Sequence, residues 1–346
     1  EQALQLLKVV GVVSDSRNGA VIRAPGPVIT TYNAPRQRVS QAPLRDANPF
    51  FHLYEALWML AGRRDVESVA KFAKRMATFS DNGVDLHGAY GWRWRGYFGF
   101  DQLREIVKIL RNDSSSRRAV LSMWTPDGDL IAGSGIGGPR SLDLPCNTHV
   151  YFDAAFGVLN MTVCNRSNDV VWGCYGANVV HMSMLHEFVA CATGLPLGSY
   201  YQFSNNFHMY AQREDCQRLL HTPFLEAPAG WFVRFQAPFM YESGRVEPGP
   251  VLFERADEAD DWLEECEAVV AGAVARQDLK NVFLRDVAMP LIQAHDAYKA
   301  SVFEEAFTLA GQCVASDWRT AAQAWLRRRR STAGYAAAAE DTSDVR

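Results

Sequence analysis

The sequence predicts an α/β fold with a helical C-terminal extension, and three stretches carry that prediction. Between Cys146 and Arg166, β-branched and aromatic residues alternate through Val150, Phe152, Val158 and Val163, with Phe156-Gly157 as the turn, which is the period of a two-stranded hairpin. From Pro49 to Gly62, the side chains of Phe50, Phe51, Leu53, Tyr54, Leu57, Trp58 and Leu60 cover almost the whole circumference of a helix, so that helix is buried. Residues 255–330 read as three or four helices, among them 260–275, 282–307 with a break at Pro290, and 316–330.

The remaining elements follow in order. Residues 1–13 read as a short helix, and Ser-Asp-Ser-Arg-Asn-Gly at 14–19 as a turn before an apolar strand. Residues 101–112 form an amphipathic helix with Asp101 as its N-cap. The stretch 126–143 is a long glycine-rich loop; no Gly-Lys-Ser/Thr follows, so it is no phosphate loop, and it reads as an insertion before Cys146. A helix from about Asn178 to Thr193 is stopped by Gly194 and Pro196. The alanine-rich, acidic stretch 331–346 is expected to be disordered.

With 346 residues, 48% of them hydrophobic, the chain can bury a large core. A net charge of −4 gives no global field for nucleic acid or a membrane surface, and the four arginines 327–330 read as a solvated helix end. There is no 18-residue apolar span and no signal-like start, although a chain opening on Glu1 leaves a removed leader open. Seven unevenly spaced cysteines without a Cys-x-x-Cys argue for reduced thiols in a cytoplasm and against zinc.

Two features point to chemistry. A lone cysteine is most often a small buried apolar residue, but pairing of the hairpin's open ends brings Cys146 beside Arg166, a nucleophile beside an anion-binding group. Glu55 stands in a nearly apolar helix, where an unpaired carboxylate is costly, so it must be paired, protonated or functional.

Leu-Pro-Cys at 144–146, followed by Asn-Arg-Ser-Asn-Asp at 165–169 and Trp172-Gly173, resembles the thymidylate synthase superfamily, which includes the phage-type deoxynucleotide hydroxymethylases. Further motifs fall in the family's order over residues 14–212. The resemblance implies a central mixed sheet packed with helices. It divides the chain into a catalytic core at 1–215, a connecting segment at 216–254, the helical extension at 255–330 and the tail. It makes Cys146 the nucleophile on pyrimidine C6 and Glu55, in Glu-x-Leu-Trp-x-Leu-x-Gly, the proton relay. Tyr90, in Tyr-Gly-Trp-Arg, becomes the phenol near C5. Arg17, Arg166 and Ser167 would hold the nucleotide phosphate, together with Arg117 and Arg118 reaching across a two-fold homodimer interface. His208 and Tyr210 would bond the sugar 3′-hydroxyl, although Asn205-Asn206 replaces the usual Gly-Asp before them. Asp169 would anchor the pterin of 5,10-methylenetetrahydrofolate, the co-substrate; no metal is implied. Met76 stands where the synthases have a tryptophan against the folate, and nothing matches the synthase C-terminal tail.

The implied reaction is folate-dependent one-carbon transfer to C5 of a pyrimidine nucleoside 5′-monophosphate through a Cys146–C6 adduct, ending in a methyl or a hydroxymethyl group. Weak closure over the folate favours capture by water, hence hydroxymethylation. The base depends on register. Counting from Asp169 puts Ala177 in the reading position, whereas one extra residue in Cys174-Tyr-Gly-Ala puts Asn178 there, with His208 in register. An asparagine accepts from N3–H and donates to O4 of uracil, so the favoured substrate is dUMP; as a plain sequence feature Asn178 reads as a helix N-cap. The alternatives are a dCMP or CMP hydroxymethylase, a thymidylate synthase, and a catalytically inactive nucleotide-binding module. A cysteine hydrolase using Cys146 with His149 or His181 would lack an oxyanion-type glycine motif and leave the arginines idle.

Overall fold

The computed structural model describes residues 2–135, 140–221 and 237–341. With elements numbered in chain order, a five-stranded sheet runs β3 (Val28–Tyr32), β8 (Leu197–Ser204), β6 (Leu159–Asn165), β5 (Asn147–Asp153), β4 (Val120–Ser122). Its neighbours are antiparallel except for β6 and β8. A four-stranded sheet runs β1 (Val12–Ser14), β2 (Val21–Arg23), β9 (Phe207–Tyr210), β7 (Asn168–Asp169), with β7 and β9 parallel. Two of the places where the chain passes directly from one sheet to the other are Arg166-Ser167 and Asn205-Asn206. Asn205 N donates to Asn165 O at 2.9 Å and Asn168 N to Asn206 O at 2.8 Å, which ties the two crossings together.

The expected hairpin is β5–β6, paired Val150↔Val163 and Phe152↔Met161, with Gly157 at φ 78° in the turn. Its period-2 pattern buries Val150, Phe152, Leu159, Met161 and Val163 on one face. On the other face Ile29, Tyr151, Thr162, Tyr201 and Phe203 are only half-buried or exposed, so this chain leaves that apolar surface largely uncovered.

Helix α2 (Pro49–Leu60) begins where Asn48 Oδ1 accepts from Phe51 N at 3.1 Å, and all twelve of its residues are buried. It packs against α7 (Ala177–Thr193) and against the C-terminal helices Ala259–Ala271, Met289–Lys299 and Ser316–Asp341. Those helices share one apolar cluster with α2, so the C-terminal helices enlarge the same interior. Helix α4 (Tyr90–Arg95) also lies on α2. Its closeness requires Gly91, where a Cβ would fall 2.1 Å from Met59 O.

Four expectations need correction. Residues 126–143 are not simply loop: a π-helical turn covers Pro126–Leu130 and a short helix Ile131–Ser134, while 136–139 lie outside the described residues. Asp129 is wholly buried there and holds Arg93 in a bidentate pair at 2.7 and 2.8 Å, a reason for order that glycine content hides. The break near Pro290 falls instead at 300–302, with Ser301 at φ 63°: residues 282–299 are continuously helical, a π turn at Leu284–Ala288 precedes Pro290, and Asp286 O, which an N–H at position 290 would have reached, accepts from Val314 N at 3.0 Å. The final helix runs to Asp341 through the stretch expected to be disordered, in keeping with alanine's helix propensity; 342–346 lie outside the described residues. The arginines of that helix are not merely solvated: Arg328 and Arg329 pair with Asp46 at 3.0 and 2.7 Å, and Arg330 with Glu304.

No described helix is long and apolar enough to cross a membrane, and no described cluster of three His, Cys, Asp or Glu could hold a metal ion.

Candidate active site

The crossing from β6 to β7 builds the site. Arg166 N donates to Cys146 O at 2.9 Å, closing the hairpin's open end. The Arg166 side chain then folds over the loop before β5: Nε donates to Pro145 O at 2.9 Å, Nη2 to Leu144 O at 3.0 Å, and Nη2 lies 3.9 Å from Cys146 Sγ. The expected meeting of thiol and guanidinium is therefore observed. Arg17, exposed in the turn before β2, reaches the same loop and donates to Ser141 O at 3.1 Å and Leu142 O at 2.9 Å.

Burial pushes the Cys146 thiol above its ordinary pKa, opposed by the positive charge of Arg166 and, more weakly, of Arg17. The resting group is thus a thiol, and the arginines favour its thiolate. Tyr90, at the start of α4, accepts from Cys146 N at 3.2 Å and Asn147 N at 3.4 Å. Burial raises the pKa of its phenol, which stays neutral and, with both amides donating to it, keeps its own proton to give elsewhere. Arg93, on the same helix, ties α4 to the π-helical turn through its buried pair with Asp129.

His208, Tyr210 and Asp169 come together on the four-stranded sheet. Asp169 is opposite His208 across β7–β9, and the His208 and Tyr210 rings meet edge to face with centroids 5.5 Å apart. Asn18, beside Arg17, donates to Tyr210 Oη at 3.4 Å, bringing the arginine turn to this group. Burial raises the pKa of Asp169, and its Oδ2 is sealed from solvent with no hydrogen-bond partner among the described residues. A buried acceptor in that state fits a ligand N–H such as an amidine edge of a pterin. Ser167 sits half-buried in the crossing itself.

Asn178 is not a helix cap. Gly176 occupies the N-cap of α7, and Asn178 lies one position inside the first turn, half-buried and with no side-chain hydrogen bond among the described residues. Its Nδ2 and Asn168 Oδ1 both crowd Gly173, where a Cβ would lie 3.1 and 2.3 Å from them. Arg117 and Arg118 are not joined to the site by this chain: they are exposed just before β4, at the edge of the five-stranded sheet, with no side-chain partner among the described residues.

A match to the thymidylate synthase family model covers residues 30–232, more than half of the sequence. This chain belongs to the thymidylate synthase family. Among its relatives, the deoxyuridylate hydroxymethyltransferase of Pseudomonas phage M6 is 43% identical over 335 residues, 95% of this chain and 91% of that protein. That of Bacillus phage SP01 is 36% identical over 56% of this chain and 51% of its own length, and that of Delftia phage PhiW-14 30% over 52% and 51%.

Sequence reasoning left two features unplaced. Glu55 is paired: His181, on α7, puts Nε2 3.0 Å from Glu55 Oε2, with both side chains sealed from solvent. The signal was present, since His181 lies three residues after Asn178 and shares its helix face, but only the packing of α2 on α7 shows what it meets. Trp172 is exposed between two guanidinium groups, Arg45 at 5.3 Å and Arg213 at 5.0 Å from its ring centroid. Met76, in the tryptophan's expected place, is half-buried against the apolar core.

Proposed function

We propose that this protein transfers a one-carbon unit from 5,10-methylenetetrahydrofolate to C5 of dUMP and releases it as a hydroxymethyl group. The observation that carries the proposal is the Cys146 corner, a thiol under Arg166 and beside the Tyr90 phenol. The deoxyuridylate hydroxymethyltransferase that matches nearly end to end supports both substrate and product.

In this reading, Arg17, Arg166 and Ser167 bind the phosphate, His208 and Tyr210 the sugar hydroxyl, and Asp169 the folate. Phosphate binding at Arg166 places C6 of the base beside Cys146 Sγ. Thiolate addition there converts C5 into an enolate carbon, which attacks the folate's methylene. Tyr90 and Glu55 manage the C5 proton, after which tetrahydrofolate departs and water captures the one-carbon unit. Seven free thiols suit a reducing compartment, the cytoplasm. The deciding assay offers dUMP, dCMP, UMP and CMP with methylenetetrahydrofolate and follows product mass alongside dihydrofolate. The expected result is hydroxymethylated dUMP without dihydrofolate. Dihydrofolate formed one for one with a methyl product would mean reduction, and a thymidylate synthase instead.

The proposal includes a homodimer with shared sites. The uncovered apolar face of the five-stranded sheet and the exposed Arg117 and Arg118 at its edge support it. Mixing inactive Cys146→Ser chains with inactive Arg117→Ala/Arg118→Ala chains is expected to regenerate roughly a quarter to a half of one site's activity, since some heterodimers assemble one intact site. Subunit exchange without recovered activity would count against shared sites.

A further inference from the structure

We propose that His181, backed by Glu55, holds and deprotonates the water that captures the one-carbon unit. This rests on the hydroxymethylation proposed above. Glu55 Oε2 and His181 Nε2 approach at 3.0 Å with side chains 7% and 2% exposed, and both ring nitrogens of His181 are buried without a hydrogen-bond partner among the described residues. His52, one turn before Glu55, does not compete for the proton: burial, and the nearby Arg45 and His181, push its pKa well down, so it is neutral.

A carboxylate oxygen 3.0 Å from Nε2 favours the tautomer with its proton on Nε2, which leaves the lone pair on Nδ1. That Nδ1 is buried and unpartnered among the described residues. A carboxylate that fixes one imidazole nitrogen as donor leaves the other as a base, and a buried acceptor without a protein donor is a place for an ordered water. His181 also lies one turn along α7 from Asn178, on the same face. The residue proposed to hold the pyrimidine edge and the one proposed to hold the water therefore share one rigid element.

The step balances without a redox partner. Once tetrahydrofolate has left, C5 carries an exocyclic methylene conjugated with the C4 carbonyl, and C6 is bonded to Cys146 Sγ. The water oxygen bonds to the methylene carbon, its proton passes to His181 Nδ1, and the electron pair of the exocyclic double bond moves onto O4 as an enolate. The enolate collapses, re-forming C5=C6 and breaking the C6–S bond. Cys146 leaves as thiolate and takes back a proton through solvent. Nothing is oxidised or reduced. His181 acts through the water, so it is a positioning residue with a base function.

The test uses full-length enzyme, dUMP tritiated at C5 and methylenetetrahydrofolate. Tritium is lost before water is needed, and product forms after it. Wild type is expected to release one tritium per hydroxymethyl product. His181→Asn is expected to release about one tritium per site in a burst within about tenfold of the wild-type rate, while steady-state product falls about 100-fold, the usual scale for a lost base. Added 2-mercaptoethanol, which needs no base to attack the methylene, is expected to restore turnover as a thioether product. His181→Gln keeps a donor for Glu55 and is expected to behave alike. Parallel loss of tritium release and product without a burst, wild-type behaviour in either variant, or loss of dUMP binding in both would overturn the proposal. If wild type itself makes a methyl product, the underlying function fails instead, an outcome visible before any variant is made.

Discussion

Cys146→Ser is expected to lower turnover by at least about a thousandfold while dUMP binding stays within about tenfold, because the thiol acts after binding. Arg166 holds the loop through the carbonyls of Leu144 and Pro145, not through sulfur alone, so the cradle survives the exchange. A serine hydroxyl in the same half-buried corner ionises far less readily than a thiol, and burial, which already raises the thiol's pKa, makes that worse. Steady-state kinetics beside equilibrium titration separates the two effects. Retention of most activity would remove Cys146 from the mechanism.

The second large effect concerns the base. Asn178→Asp is expected to swing the preference between dUMP and dCMP by about 100-fold in kcat/KM, the sum of two well-placed hydrogen bonds gained for one base and lost for the other. Asparagine accepts from N3–H and donates to O4 of uracil, whereas a carboxylate accepts the amino group of cytosine. The structure removes the competing explanation, since Gly176 rather than Asn178 is the cap of α7. If wild type prefers dCMP and Asn178→Asp leaves the ratio unmoved, Asn178 does not read the base.

Much of the fold was legible wherever one local pattern settles an element. The β5–β6 hairpin follows from alternation, and α2 from apolar residues on every side after an Asn-Pro start. The site was legible where two residues lie on paired strands, as with Cys146 and Arg166. Three things were not legible, each because the deciding contact is distant in sequence. Asp129 looked like part of a glycine-rich loop until Arg93 buried it. Pro290 looked like a helix break, but a π turn precedes it and Val314 N takes Asp286 O, the carbonyl its missing N–H would leave free. The partner of Glu55 could not be named, although burial demanded one, because His181 meets it only through the packing of two helices.

The central claim is that Cys146 bonds to C6 of dUMP in a folate-dependent complex, and the most direct measurement is a mass. With 5-fluoro-dUMP the C5 substituent cannot leave as a proton does, so the reaction should halt with the base bonded to both enzyme and folate. Denaturing mass spectrometry of wild type mixed with 5-fluoro-dUMP and methylenetetrahydrofolate is predicted to show the chain carrying one nucleotide plus one folate. Peptide mapping is predicted to place the adduct on Cys146, and Cys146→Ser to show none. An unmodified wild-type chain under conditions where both ligands bind, or an adduct on another residue, would contradict the account.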